Sequence, residues 1–297
     1  VYIKQMNEIK TLSLEKSNDY IINKLQSNEK FLISRVGVGA ETLLTHLYIK
    51  YGIDSVWNNS YFDLFYKLSN NAGIYNLSQS SFCRYTNLYK ETIKKSDALA
   101  TFNNTMIEQQ IYFIQSYALD ILYSRVLEPF YCCQDNIKPW SQHLLGKKVL
   151  IINPFVESFQ KQLKKKFQIY KDPDKKIFLD DQEFIFYKPY NTAAGNHVHE
   201  NWDETYELMC REISNIDFDV ALLGCGGYGL PLCHYIHETL NKSAIYVGGG
   251  LQLLFGVMGS RWENIPMWKT IIKENETKFI RPSQDKVLIS FICLIYT

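Results

Sequence analysis

Two glycine-rich turns follow apolar runs in this chain, and turns of this kind can hold a phosphate group. The first turn is Gly224-Cys225-Gly226-Gly227-Tyr228-Gly229, which lies between the apolar run FDVALLG and the run LPLCHYIHETLNK. The second is Gly248-Gly249-Gly250, which follows SAIYV. Glycine lets the backbone approach a ligand closely, and free N–H groups at a helix start attract an anion. The turns therefore predict a nucleotide or diphosphate site. The structural alternative is that small residues only let a strand and a helix pack closely.

An earlier turn, Arg35-Val36-Gly37-Val38-Gly39-Ala40-Glu41, contributes one cation and one carboxylate around its glycines. A guanidinium can bind a phosphate through two parallel hydrogen bonds. The Glu41 carboxylate can coordinate a divalent metal or act as a base. By spacing alone, an ion pair between Arg35 and Glu41 at a helix start is the structural alternative.

A dinucleotide site would also need an acidic residue at the end of the strand after the first turn, where it holds the ribose hydroxyls. That strand, Ala244 to Val247, ends in Gly248 instead. NAD(P) binding is therefore disfavoured, and a nucleotide or its diphosphate is the more general prediction.

Three other groups contain residue types that do chemistry. His197, His199 and Glu200, with Asp203, occupy a polar segment that is typical of a solvated or capping loop. His234 and His237 lack the i,i+4 spacing of a zinc-binding helix. Cys225 precedes a helix N-terminus, a setting that lowers the pKa of a thiol, but it has no assignable base. We predict structural roles for all three groups.

Strands alternate with helices along the chain, which predicts parallel βαβ units with helices on both faces of a sheet. The predicted class is α/β, a Rossmann-like, doubly wound and mostly parallel sheet with a helical insertion in the N-terminal half. We expect one domain over residues 1–297. Its parts are a first strand, turn and helix (31–56), a mainly helical insertion (57–145) and a Rossmann-like half (146–286).

Composition excludes some classes of protein. Lys and Arg total 32 against 31 Asp and Glu, so the chain lacks the basic excess of a nucleic-acid-binding protein. Seven cysteines without a C-x-x-C pair indicate a reducing, cytoplasmic compartment. No secretory signal is expected, and no apolar run reaches the roughly 18 residues of a membrane span. The apolar run 287–297 is predicted as a buried closing strand, with a membrane-touching tail as the alternative.

Longer stretches resemble a known family. GKKVLIINPFVESFQKQ (146–162) and the stretch 216–262 carry most of the likeness, together with SRVGVGAE, LEPFY, PWSQHLLGKK and NETKFIRPSQ. They resemble the GT-D-type glycosyltransferases of bacterial and viral surface-polysaccharide loci over most of residues 31–286. The resemblance implies transfer of a sugar from a nucleotide-sugar donor to a glycan or glycoconjugate acceptor in the cytoplasm. It gives no oligomeric state.

The resemblance also implies a divalent metal, Mn or Mg. In the better-described members the first turn reads R-F-G-D-G-E, and its Asp and Glu hold the ion. Arg35, Gly37 and Glu41 match, but the turn here is one residue longer and the aspartate is absent. Asp54, Asp97 or a ligand phosphate would have to complete a site at Glu41. The alternative is that Arg35 and backbone amides neutralise the diphosphate unaided.

The leading hypothesis is therefore a glycosyltransferase. Its base is Glu41, Asp97 or Glu157. The predicted donor-binding groups are Arg35, Gly37, the two glycine turns, Gln252, Arg261 and Trp262, with a structural corner as the alternative for the last three. Trp262 and Tyr228 are the rings to examine for sugar contact. The rival hypotheses are a non-catalytic nucleotide- or sugar-binding protein and, less favoured, a dinucleotide-dependent enzyme.

Overall fold

Seven short strands form one sheet in the computed structural model, which describes residues 11–27, 29–102 and 104–282. The N-terminal segment where no secretory signal is expected and the predicted strand at 287–297 lie outside the described residues. The strands are β1 (Leu32–Ser34), β2 (Ala98–Thr101), β3 (Asp120–Tyr123), β4 (Val149–Ile152), β5 (Phe184–Tyr187), β6 (Val220–Leu223) and β7 (Ser243–Tyr246).

Helices connect these strands and cover the sheet. They are α1 (Leu14–Gln26), α2 (Ala40–Trp57), α3 (Phe62–Ala72), α4 (Gln79–Lys95), α5 (Ile107–Tyr117), α6 (Phe130–Gln134), α7 (Val156–Lys164), α8 (Trp202–Ser214), α9 (Gly229–His234), α10 (Leu251–Leu254), α11 (Ser260–Glu263) and α12 (Pro266–Asn275). None of the helices in these ranges is both long and apolar enough to cross a membrane.

The strand order is β3-β2-β1-β7-β6-β4-β5, and every pair of neighbours is parallel. The chain builds outward from β1 to β3, crosses to β4 and β5, and then returns through β6 to place β7 beside β1. Leu32 of β1 pairs with Ala244 of β7. The predicted doubly wound α/β class is confirmed, and the described sheet is parallel throughout.

Successive strand residues point to opposite faces of the sheet, and each face carries its own apolar core. In β4, Leu150 and Ile152 belong to one core, while Val149 and Ile151 belong to the other. All four are fully buried. Such continuous apolar strands are typical of a parallel sheet covered on both sides.

Segment 57–145 is mainly helical, but it is not an insertion outside the sheet, because it also supplies β2 and β3. Both strands have only four residues, Ala-Leu-Ala-Thr and Asp-Ile-Leu-Tyr, and helices flank each of them. Neither run is as rich in Val, Ile and Leu as VLII of β4, so neither stands out against the periodicity of neighbouring helices. The described N-terminal half therefore contributes three strands rather than one.

Candidate functional site

The turn Gly248–Gly250, which follows β7 at the carboxyl edge of the sheet, collects three charged side chains. A Cβ at Gly248 would lie 2.9 Å from Nη1 of Arg35, and one at Gly249 would lie 1.9 Å from Nη2 of Arg261. A Cβ at Gly250 would lie 2.2 Å from Oε1 of Glu128. The absence of side chains on these glycines thus leaves room for two guanidinium groups and a carboxylate.

Each of the arginines at this edge stacks on an aromatic ring. The guanidinium carbon of Arg35 lies 4.2 Å from the ring centroid of Phe102, and that of Arg261 lies 3.7 Å from the Trp262 ring. Arg125 covers Tyr131 in the same way at 4.7 Å. Stacking fixes the guanidinium planes and contributes about 0.5–2 kcal/mol each. The cations are therefore held in place before any ligand binds.

Glu128 follows β3, and its side chain is only 12% exposed. Arg125 donates a hydrogen bond from Nη1 to its Oε2 at 3.2 Å. Burial raises the pKa of Glu128 above its ordinary value, while Arg125, Arg35 and Arg261 oppose that rise by favouring the charged form. A carboxylate with a raised pKa is a better proton acceptor near neutral pH than an exposed one.

A cleft of about 410 Å³ opens beside Glu128. Its size is within the range of small-molecule sites, and aromatic side chains make up much of its wall. The lining residues include Tyr123, Arg125, Glu128, Tyr131, Trp262 and Trp268. Trp262, predicted from sequence as a sugar-contacting ring, lies in this wall.

Glu41 folds back over the turn that precedes it. A Cβ at Gly37 would lie 2.0 Å from its Oε1, and one at Gly39 would lie 2.7 Å from its Oε2. The carboxylate accepts hydrogen bonds from the N–H groups of Gly39 and of Glu41 itself. The surrounding protein atoms raise the pKa of Glu41, and these hydrogen bonds and Arg35 oppose the rise. Glu41 therefore occupies the N-terminus of its own helix, where an anion would otherwise be attracted.

The partners proposed for a metal at Glu41 do not reach it. Asp54 lies beyond a kink of α2 at Gly52, and the helix from Glu41 to Gly52 alone spans about 16 Å. Asp97 precedes β2, at the opposite edge of the sheet, where it accepts a hydrogen bond from Leu32 N at 2.8 Å and pairs with Lys24. No group of three or more His, Cys, Asp or Glu able to hold a metal occurs among residues 11–27, 29–102 and 104–282. The described residues therefore do not provide the set of ligands that the implied Mn or Mg ion would need.

The first glycine turn, after β6, is covered by protein. A Cβ at Gly227 would lie 2.7 Å from the carbonyl oxygen of Ala72, and one at Gly229 would lie 2.2 Å from the Tyr246 ring. Tyr228 is buried, with its hydroxyl 3.0 Å from Oγ1 of Thr192. Gly226, which has φ +61°, is exposed. The geometry favours packing over ligand contact for Gly227, Tyr228 and Gly229.

Gly224 begins this turn and lies beside the second one. A Cβ there would meet the Gly248 carbonyl oxygen at 2.6 Å, and Asn153 donates a hydrogen bond to the Gly224 carbonyl at 2.8 Å. The two turns are thus in contact. Of the two, Gly248–Gly250 is the one that lies against the charged cluster of Arg35, Arg261 and Glu128.

We expect the substitution Gly227→Ala to lower the free energy of unfolding by about 1–3 kcal/mol, since the new methyl group meets a backbone carbonyl that cannot move freely. Urea unfolding measures the change. Gly259→Ala is the control, because its Cβ would find no atom nearer than 3.4 Å. Equal stability of the two variants would contradict the packing role.

Other predicted residues lie outside the charged cluster. Gln252 is buried and donates a hydrogen bond to the Val257 carbonyl at 3.2 Å. This contact favours the structural corner over donor binding for Gln252. Glu157 pairs with Lys188 at 2.8 Å. It follows β4, three strands from β1, so about 14 Å of sheet separates it from Arg35.

The histidine groups for which the sequence predicted structural roles make contacts within the protein. His197 stacks on Tyr75 with ring centroids 3.9 Å apart, and Nδ1 of His199 lies 2.9 Å from Oγ1 of Thr205. Nδ1 of His237 lies 2.8 Å from a Glu238 carboxylate oxygen. Burial raises the pKa of the Cys225 thiol to about 12, so the lowering expected from the helix N-terminus is wrong.

Sequence reasoning missed Glu128 and Arg125. Glu128 lies in the segment LEPFY, which was part of the family resemblance without a role for any of its residues. A glutamate inside the apolar run VLEPFY was the available signal, but β3, which places it at the edge of the sheet, was not predicted. A scan against protein-family models, a search of curated proteins and a search of solved structures each return no match for this chain. The resemblance to GT-D enzymes therefore stays a prediction.

Proposed function

We propose that this protein is a glycosyltransferase that moves a sugar from a nucleotide-sugar donor to a glycan or glycoconjugate acceptor. One observation carries the proposal: Arg35, Arg261 and the buried carboxylate of Glu128 converge on the turn Gly248–Gly250, beside an aromatic cleft. Cations suit the diphosphate of a donor, a carboxylate suits a base, and aromatic rings suit the faces of sugars. The carboxyl edge of a parallel sheet is also where α/β proteins usually bind ligands.

The chemistry assigns one role to each group. The acceptor hydroxyl oxygen attacks the anomeric carbon of the donor sugar, and its proton passes to Glu128. The bond from that carbon to the diphosphate oxygen breaks, and the leaving diphosphate keeps the electron pair. Arg35 and Arg261 stabilise the charge that develops on the leaving group, a form of electrostatic catalysis that needs fixed donors. Glu128 thus replaces Glu41, Asp97 and Glu157 as the proposed base.

The stacked arginines also supply the positive charge that the family resemblance would assign to a divalent metal. We therefore propose that donor binding does not require the Mn or Mg ion implied by the resemblance. We assign the reaction to the cytoplasm, because the six cysteines of the described residues are free thiols, the state that a reducing compartment maintains.

A non-catalytic nucleotide- or sugar-binding protein is the second candidate. The observation that favours it is the Glu41 carboxylate, which hydrogen-bonds to the start of its own helix rather than facing a ligand. Such a protein would use the same arginines and cleft, and would bind the donor without transferring its sugar.

A panel of UDP-, GDP-, TDP- and CMP-sugars tests the proposed function. We expect at least one of them to raise the thermal unfolding midpoint, equally in EDTA and in manganese. Sugar transfer to a glycan acceptor then separates an enzyme from a binding protein. If none of the donors stabilises the protein, the proposed function is wrong, and stabilisation only with manganese would refute the metal-independent part.

A further inference from the structure

A second cleft, of about 620 Å³, adjoins the one beside Glu128. The two share Met267 in their linings, and the sequence neighbours Gln134 and Asp135 line one cleft each. The second cleft then follows α12 as far as Asn275. Together the clefts form a groove that begins at Glu128 and continues for about 12 Å beside the helix, from Met267 to Asn275. A single sugar unit needs only the inner cleft.

The outer part of the groove has the chemistry of a carbohydrate site. Gln134 and Thr270 are exposed and present an amide and a hydroxyl group. Asn275 and Tyr170 shape the wall instead, because the Asn275 amide bonds to the backbone of Lys171 and Ile271 and the buried Tyr170 donates its hydroxyl to the Phe130 carbonyl. Exposed amide and hydroxyl groups hydrogen-bond to sugar hydroxyls.

The groove as a whole carries more negative than positive charge. Asp172 and Glu274 line the outer cleft against Lys175, and Asp135 and Glu128 line the inner cleft against Arg125. An acidic glycan would bring further negative charge next to these carboxylates, and like charges at such separations repel. A neutral or amino-bearing glycan meets no such barrier.

We propose that this groove binds the acceptor, an extended glycan without acidic groups, and delivers its terminal hydroxyl to Glu128. The inference rests on the proposed function, which it deepens by naming the acceptor class. It assigns the donor to the arginine side of Glu128 and several sugar units of the acceptor to the α12 side.

Binding of tetrasaccharide probes tests the groove without requiring turnover. Chitotetraose, its deacetylated form and maltotetraose are compared by calorimetry with the corresponding monosaccharides and with tetragalacturonate. We expect at least one neutral or amino tetramer to bind ten-fold or more tightly than its monosaccharide, and tetragalacturonate to bind no better than a monosaccharide. Binding of tetragalacturonate as tight as that of the best tetramer, or no gain from chain length, would overturn the proposal.

Two substitutions on α12 locate the binding. Thr270→Trp places a large ring in the outer cleft and is expected to remove the ten-fold gain, whereas Lys269→Trp, an exposed neighbour that does not line it, leaves the gain intact. Glu274→Arg is expected to strengthen tetragalacturonate binding and weaken that of the amino tetramer. If neither Thr270→Trp nor Glu274→Arg changes binding, the glycan binds elsewhere.

The donor panel keeps the two proposals apart. Nucleotide-sugar stabilisation that persists in Thr270→Trp, with loss of tetramer binding, supports both. Donor stabilisation with no tetramer binding overturns the groove alone. Tetramer binding with no response to any donor supports a glycan-binding groove and overturns the transferase.

Discussion

Replacing Glu128 by glutamine is expected to lower the turnover of sugar transfer by about 100-fold or more, the usual effect of removing a general base. Glutamine keeps the size of the side chain and can still pack against Gly250, but it cannot accept the proton of the acceptor hydroxyl. The affinity for the donor is expected to change little, because Arg35 and Arg261 remain. Steady-state kinetics with donor binding measured separately would show a fall in kcat.

The raised pKa of Glu128 gives this prediction a pH signature. Burial disfavours the charged carboxylate, so the base form is present above a pKa higher than that of an ordinary glutamate and is lost as the pH falls through it. The acidic limb of the kcat/KM profile should therefore lie above the usual carboxylate range. Glu128→Gln should abolish that limb, a change that a merely structural role would not produce.

Glu157→Gln serves as the matched control for the base. Glu157 is 47% exposed and pairs with Lys188 at the other side of the sheet. Its loss should leave turnover within about two-fold, because Glu157 lies three strands away from Arg35. It should also cost little stability, because an exposed ion pair contributes at most about 1 kcal/mol. Loss of turnover in Glu157→Gln with full activity in Glu128→Gln would reverse the assignment of the base.

Much of the fold could be predicted because the central strands are continuous apolar runs. VLII of β4 and VALL of β6 are buried on both faces, and each precedes a turn and a helix, so the sequence pattern follows directly from burial. β2 and β3 have the same length but differ in composition, because ALAT has one and DILY two residues of the Val, Ile and Leu types, and both lie among helices. Their pairing depends on β1, which is more than 60 residues away from β2 along the chain, and no local pattern encodes that contact.

The two glycine turns show where local prediction of the site ends. Both have the composition of a phosphate-binding turn, and composition alone cannot distinguish a glycine that faces a ligand from one that faces a neighbouring helix. Gly227 faces the end of α3, whereas Gly249 faces Arg261. Only the tertiary arrangement determines that difference, because Ala72 lies 155 positions before Gly227 in the sequence and Arg261 lies 12 positions after Gly249.

Glu128, the proposed base, was missed for a related reason. Glu128 comes to the cluster from the end of β3, at the edge of the sheet, and its partners Arg35 and Arg261 lie on separate connections. Glu41 was the more visible candidate because it follows glycines and an arginine within seven residues. Its carboxylate is instead engaged by the N–H groups of its own turn, which is the ordinary behaviour of an acidic residue at a helix start.

Arg35→Ala is expected to weaken nucleoside diphosphate binding by about 10- to 100-fold, the equivalent of losing one hydrogen bond to a charged group, at about 1.5–3 kcal/mol. Calorimetry with UDP, GDP and TDP measures the change. Arg35→Lys should fall between the parent and the alanine variant. Lysine retains the charge but not the planar fork that stacks on Phe102 and can bind two phosphate oxygens at once.

Arg84→Ala is the control for this variant, because Arg84 pairs with Asp203 and Glu207 on the surface and its removal also deletes one cation from the chain. A general effect of net charge would weaken binding equally in both variants. A local effect would appear only at Arg35, where the guanidinium lies against Gly248 and within the field of Glu128. Unchanged affinity in Arg35→Ala would move the diphosphate away from the turn Gly248–Gly250, and the assignment of Glu128 as the base would lose the donor geometry on which it depends.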